Sequence, residues 1–197
     1  MASPSESTSQ IRTHARRRRS ALSSDIQHDH ATRVRDHFLA TLLPDQVSLP
    51  DQVTMAAAYL PIKGELDPQP LMQALFERGC GLCLPVIGVN KAMSFHRFTP
   101  GDHLKPNRYG IPEPDSDPVA KAQISLMLVP LVAFDHLGTR LGMGAGYYDR
   151  FLTTGEHRPL LIGLAHALQQ SSQTLRREPW DVPLNAVITE LGTQWFD

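Results

Sequence analysis

The chain has 197 residues, 41% of them hydrophobic and 20% charged, with a net charge of −1. This is the composition of an ordinary globular protein, large enough to bury about 70% of the surface its unfolded form exposes, and it argues against a disordered chain or one that coats nucleic acid. The longest apolar run is about ten residues, short of the ~20 that span a membrane, and no secretory apolar core follows Met1, which points to the cytoplasm.

Residues 1–9 are serine-rich and expected to be frayed and disordered. From Gln10 to Leu22 the sequence reads as a helix, with Ile11, Ala15 and Leu22 as a narrow apolar stripe and Arg12, Arg16 and Arg19 four and three apart on one face. That stripe suits a wall supplying guanidinium groups to phosphates, a nucleic-acid arm, or a transit segment, although Glu6 counts against the last. On this segment alone a solvated face comes first. A second helix, capped by Ser23 or Ser24 and ending before Pro44, buries Ile26, Val34, Phe38, Leu39 and Leu42. His28 and His30 look like a ligand pair, but two residues are about 200° of rotation on a helix, so they cannot share a metal and are expected to be solvated.

Val53 to Leu60 is a strand too apolar to have one wet face, which implies a sheet covered by helices on both sides. The loop P-I-K-G-E-L-D-P lies at the end of that strand where open α/β sheets bind ligands. It holds Glu65, whose two oxygens suit neighbouring N–H donors on a flat heterocycle. A helix from about Gln69 to Phe76 follows, closed by Gly79. Cys80 and Cys83 have redox or zinc spacing, but on a strand at Gly81 to Val86 residues three apart point to opposite faces, and no second cysteine pair completes four ligands. Met93 to Phe98 alternates like a less buried strand, and the proline-rich stretch from Leu104 to Pro118 reads as a loop that offers the aromatic face of Tyr109.

The apolar run from Ile124 to Phe134 reads as one buried strand leading into R-L-G-M-G-A-G-Y-Y-D-R, Arg140 to Arg150, with a helix starting near Tyr147. Strand, glycine loop and helix start make the layout of a phosphate site, in which Gly142, Gly144 and Gly146 bring backbone N–H groups close to an anion and the helix dipole adds positive charge. The spacing fits neither the dinucleotide fingerprint nor the Walker loop. Leu160 to Ala165 is a further strand, His166 to Arg177 is polar and partly helical, and a short strand ends the pattern at Ala186 to Thr189. Asp149 beside the glycine loop and Asp181 before a proline turn form a pair suited to magnesium bound with phosphate oxygens. Alternating strands and helices argue a three-layer α/β domain.

The ordered set I-R…R-R-R-R-S-A-L, Y-L-P-I-K-G-E-L-D, N-R-Y-G-I-P-E-P, P-L-V-A-F-D-H-L-G-T-R-L-G-M-G-A-G-Y-Y-D-R and W-D-V-P-L-N-A-V-I-T resembles, along nearly the whole chain, the 5-formyltetrahydrofolate cyclo-ligase family, also called 5,10-methenyltetrahydrofolate synthetase. The resemblance implies a single Rossmann-like three-layer α/β domain over 1–197 with a mostly parallel central sheet. It also implies an ATP- and Mg2+-dependent ligase acting on 5-formyltetrahydrofolate, with or without a polyglutamate tail, as a monomer with neither nucleic acid nor membrane as partner. By position, it places the nucleotide on Arg12, Arg16 and the loop Arg140, Leu141, Gly142, Met143, Gly144, Ala145, Gly146, Tyr147 and Tyr148. Magnesium falls to Asp149 with Asp181 nearby, and the folate to Leu60, Glu65, Tyr109, Met143, Ala145, Gly146 and Tyr147. Many members carry cations where this chain has Met143 and Ala145, and some carry one near Thr8; Arg16 or Arg19 is expected to compensate. The missing cations also motivate a rival, a non-catalytic folate or nucleotide sensor on the same fold. A sugar-phosphate isomerase or acyl transferase gives no reason for Asp149 and Glu65.

Overall fold

The computed structural model describes residues 6–41 and 53–197. In chain order the helices are α1 (Thr8–Ser20), α2 (Ser24–Thr41), α3 (Gln69–Glu77) and α4 (Tyr147–Thr153). The strands are β1 (Met55–Ala57), β2 (Gly81–Ile87), β3 (Met93–Phe98), β4 (Lys105–Pro106), β5 (Pro112–Glu113), β6 (Pro118–Val119), β7 (Leu126–Pro130), β8 (Ala133–Phe134), β9 (Arg140–Leu141), β10 (Leu160–Leu164), β11 (Ala186–Thr189) and β12 (Gly192–Trp195). None of the described helices is long and apolar enough to cross a membrane.

Eight strands form the central sheet in the order β12-β11-β10-β7-β1-β2-β3-β6. The five inner strands from β11 to β2 are parallel, and antiparallel β12 on one side and β3 with β6 on the other complete it. Both faces are dry because successive residues go to opposite cores. Ala56, Leu126, Leu128, Ile162 and Ile188 join Val34 and Phe38 of α2 and Leu71 and Leu75 of α3. Ala57, Met127, Val129, Leu161 and Val187 join Phe95 and Leu152 of α4 on the other side. This is the two-residue period of a strand buried on both faces, and the mixed α/β three-layer expectation holds. The cysteines obey it: Cys80 lies in the first core and Cys83 in the second. Burial, chiefly, pushes the Cys83 thiol up to about 12, which leaves it inert.

Several boundaries differ from the expected ones. α1 begins at Thr8, where Ser7 and Gln10 form a reciprocal capping box; residues 1–5 lie outside the described residues. On α2, Val34 and Phe38 are buried as expected, but Ile26 is 44% exposed, and Leu42 lies outside the described residues. The proline-rich stretch is not all loop, since β4 and β5 pair as a hairpin and β6 joins the main sheet.

The run from Ile124 to Phe134 is not one strand. It ends in the main sheet at Pro130, and Ala133–Phe134 turn away to pair with Arg140–Leu141. Asp135 makes that turn: its Oδ1 accepts the N–H groups of Leu137 and Thr139, both at 2.9 Å, and its Oδ2 that of Leu175 at 2.8 Å. An aspartate that folds the backbone back on itself in this way satisfies the turn's donors without water. The hairpin it builds carries the glycine loop, and α1 packs on it through Ile11 and Ala15 against Val132, Ala133 and Leu141.

Candidate active site

β1 is the switch point of the sheet, with β2 on one side and β7, reached later in the chain, on the other. Side chains diverge there at the carboxyl ends of the strands and leave a crevice. A cleft of about 430 Å³ fills it, bordered by the ends of β1, β2 and β7, the glycine loop, and the segment around Trp180 and Asp181.

The floor of the cleft is the loop after β1. The Tyr59 hydroxyl donates to the Leu66 carbonyl at 2.8 Å, and the Glu65 N–H donates to the Ile62 carbonyl at 3.1 Å. Glu65 is only 7% exposed; its Oε2 accepts the Ile62 N–H at 3.2 Å, and its Oε1 faces Arg19 at 3.4 Å. Arg19 is wholly buried, so the solvated face expected for the basic stripe holds at Arg16 and fails at Arg19: its Nη1 donates to the Leu131 carbonyl at 2.9 Å and its Nε to the Lys63 carbonyl at 3.2 Å. Burial raises the pKa of Glu65, and Arg19 with the Ile62 N–H opposes that rise only in part. Burial likewise lowers the pKa of Arg19, so on both partners desolvation outweighs pairing.

The opposite wall is the glycine loop. Gly144 at φ 94° and Gly146 at φ 70° are left-handed, a conformation a side chain resists, and Gly146 is the residue from which α4 starts. α4 is two turns long, so its dipole is a smaller source of positive charge than the sequence pattern suggested; arginines supply it instead. Arg12 is half-buried and donates from Nε to the Gly142 carbonyl at 3.0 Å, pinning the loop to α1. Arg140 donates to Asp149 and to the Val182 carbonyl. Burial lowers its pKa most, and Asp149 and Asp181 both raise it, so this guanidinium stands near two carboxylates. Asp181 is held by the Glu178 N–H on its Oδ2 at 2.8 Å.

The model of the 5-formyltetrahydrofolate cyclo-ligase family matches residues 4–190. The chain belongs to that family. The 5-formyltetrahydrofolate cyclo-ligase of Escherichia coli K12 is 40% identical over 139 residues, covering 68% of this chain and 76% of that one. The enzyme of the same name from Haemophilus influenzae is 34% identical over 181 residues, covering 89% and 93%. The 5,10-methenyltetrahydrofolate synthetase of Aquifex aeolicus superposes with a TM-score of 0.74 at 31% identity, covering 95% and 92%. That of Mycoplasma pneumoniae does so at 0.75 and 24% identity, covering 94% and 99%, which bears on the fold alone.

Most residues expected of a cyclo-ligase site border this one cleft: Leu60 and Glu65 on the floor, Arg12 on the α1 side, Arg140 through Tyr148 on the loop, and both Asp149 and Asp181. Two do not. Arg16 is exposed on α1 and lines no part of the cleft, because the helix turns Arg12 and Arg19 inward and leaves Arg16 outside. Tyr109 is 60% exposed at the tip of the β4–β5 hairpin, under the Arg108 guanidinium at 5.0 Å; the hairpin borders the cleft through Ile111, Pro112 and Glu113 instead. Neither arginine expected to make up for the cations absent at Met143 and Ala145 lines the cleft. Arg19 is committed to Glu65, and the arginine that lines the cleft without having been singled out is Arg176, paired with Glu178 at 2.9 Å. A hint lay in the sequence, since Arg176 shortly precedes the E-P-W-D turn that carries Trp180 and Asp181.

Proposed function

We propose that this chain catalyses the ATP- and Mg2+-dependent conversion of 5-formyltetrahydrofolate to 5,10-methenyltetrahydrofolate, releasing ADP and phosphate. The observation that carries the reading is one cleft in which two chemistries face each other. A glycine loop with Arg12, Arg140, Asp149 and Asp181 forms one wall, and a fixed carboxylate, Glu65, forms the other. Membership of the cyclo-ligase family supports it.

The formyl oxygen is a poor leaving group, so closing the ring directly would expel hydroxide. In the proposed sequence the formyl oxygen attacks the γ-phosphorus of ATP; the new P–O bond forms as the bond to ADP breaks. N10 then adds to the formyl carbon and gives its proton to water, and phosphate leaves with the electrons of the C–O bond. Such chemistry needs positioning and charge stabilisation more than a covalent nucleophile. Glu65 accepts N–H bonds from the folate ring system and orients it. Arg12 holds the loop whose backbone N–H groups meet phosphate oxygens, and Arg140 and Arg176 add positive charge. Asp149 and Asp181 offer the hard oxygen donors that suit Mg2+, which when bound would neutralise phosphate charge. The net charge of −1 supports a small-molecule substrate rather than nucleic acid. The proposal includes a single domain acting as a cytoplasmic monomer.

The test is near-ultraviolet absorbance of the protein with 5-formyltetrahydrofolate and MgATP, because the methenyl product is a conjugated amidinium that absorbs where the substrate does not. A rise that vanishes without ATP or with EDTA is the expected result. A flat trace with both ligands bound would establish the sensor instead, the reading that Met143 and Ala145 favour.

A further inference from the structure

Away from the cleft, three side chains from distant parts of the chain converge. His30 comes from α2, His166 stands just past β10, and Glu190 just past β11. His30 Nδ1 lies 2.9 Å from His166 Nδ1 and 3.6 Å from Glu190 Oε2, and one donor atom from each residue falls within 4.8 Å of the others. None of the three borders the cleft.

The arrangement has the spacing of a metal site. A tetrahedral ion with bonds of ~2.0–2.1 Å sets its donors about 3.3 Å apart, and the 2.9 and 3.6 Å separations straddle that spacing. His166 is fully buried, with its Nδ1 toward His30 and the Gly64 backbone beside its ring, the kind of contact that orients a ligating imidazole. The carboxylate is itself held: Glu190 Oε2 accepts the Ala167 N–H at 2.9 Å, the kind of outer support that fixes metal ligands. His30 and Glu190 side chains are 15% and 12% exposed, which leaves a path for water to a fourth position.

We propose that His30, His166 and Glu190 form a metal site, separate from Asp149 and Asp181, that takes one divalent transition metal of the zinc class with water as fourth ligand. Two imidazoles and a carboxylate are the donor set of such ions and a poor one for magnesium. The ion ties α2 to the ends of β10 and β11. It also stands behind the cleft floor, since the Gly64 backbone, next to Glu65, lies beside the His166 ring.

The test uses the full chain, stripped with a chelator and titrated with Co2+ and then Zn2+. The wild type is expected to take one equivalent of Co2+ with visible tetrahedral bands, to exchange it for Zn2+, and to melt at higher temperature with the metal. His30→Gln and Glu190→Gln, both at partly exposed positions, are each expected to lose the bands and to weaken Zn2+ binding ~10²-fold or more, with far-ultraviolet circular dichroism unchanged. Asp149→Ala is expected to keep the bands. Failure of the wild type to bind, bands that persist in either ligand variant, or bands that Asp149→Ala abolishes would each overturn the site. These readouts do not depend on turnover, so the result stands apart from the proposed reaction.

Discussion

Two arginine–carboxylate pairs reach the same cleft, one through Glu65 alone and the other through both partners, and they are built differently. Arg19 and Glu65 are 0% and 7% exposed, whereas Arg140 and Asp149 are 6% and 27% exposed. Arg19 spends its guanidinium on two carbonyls as well as on Glu65, and Glu65 also takes a backbone N–H. The second pair opens on the glycine loop, with Asp181 near enough to act on the same arginine. The difference teaches a division of labour. A pair walled in on every side fixes one carboxylate in place, as recognition of a flat ring requires. A pair at the rim can exchange partners when phosphate and a cation arrive.

The sharpest way to break this comparison is to remove one arginine. Arg19→Met leaves Glu65 buried without its counter-charge, and losing one partner of a buried pair costs about 3–5 kcal/mol. Urea unfolding measures it. Replacing both, in Arg19→Met with Glu65→Leu, is expected to recover much of that stability, because burial already outweighs pairing on each partner. A cost below about 1 kcal/mol for the single change would mean that the pair is wetter than its burial indicates.

The rim pair is expected to respond in the opposite way. Asp149→Ala removes a half-buried carboxylate while Asp181 still faces Arg140, so stability changes by only about 1 kcal/mol. Turnover falls by ~10²–10³, the usual loss for one positioned transition-state contact. The pair of readouts is decisive: a variant that loses several kcal/mol of stability but, while folded, turns over normally would place Asp149 in the scaffold and not in the chemistry.

How far this division could be read from sequence depended on whether the signal was local. The strands at 81–86, 160–165 and 186–189 were legible because each apolar run nearly fills one strand, and Glu65 was legible because it follows such a run. The turn at Asp135 was hidden inside an apolar stretch, although F-D-H-L-G-T carries its chemistry in an aspartate three residues before a glycine. Arg19 was legible as one of a basic stripe, but its burial was not. A fourth consecutive position in an arginine run reads as solvent-facing, and what buries it is a carbonyl at Leu131, 112 residues away. His30 was missed for the same reason, as its partners lie past β10 and β11.

The floor pair also predicts a pH signature smaller than either substitution. Burial raises the pKa of Glu65 above its ordinary value of ~4.3. Only the ionised form accepts two N–H bonds, so activity should fall about tenfold per pH unit below that raised pKa. The stability effect has the other sign. Because folding raises this pKa, the fold favours the protonated acid, and the stabilisation from this group is present at low pH and lost as pH rises through the folded pKa. The protein therefore loses turnover on acidification before this residue gives it any reason to unfold. Glu65→Gln keeps one acceptor oxygen and cannot titrate. Its kcat/KM should be lower at neutral pH and free of the acid limb seen in the wild type. An identical limb in both proteins would assign that titration to another group and leave Glu65 as scaffold alone.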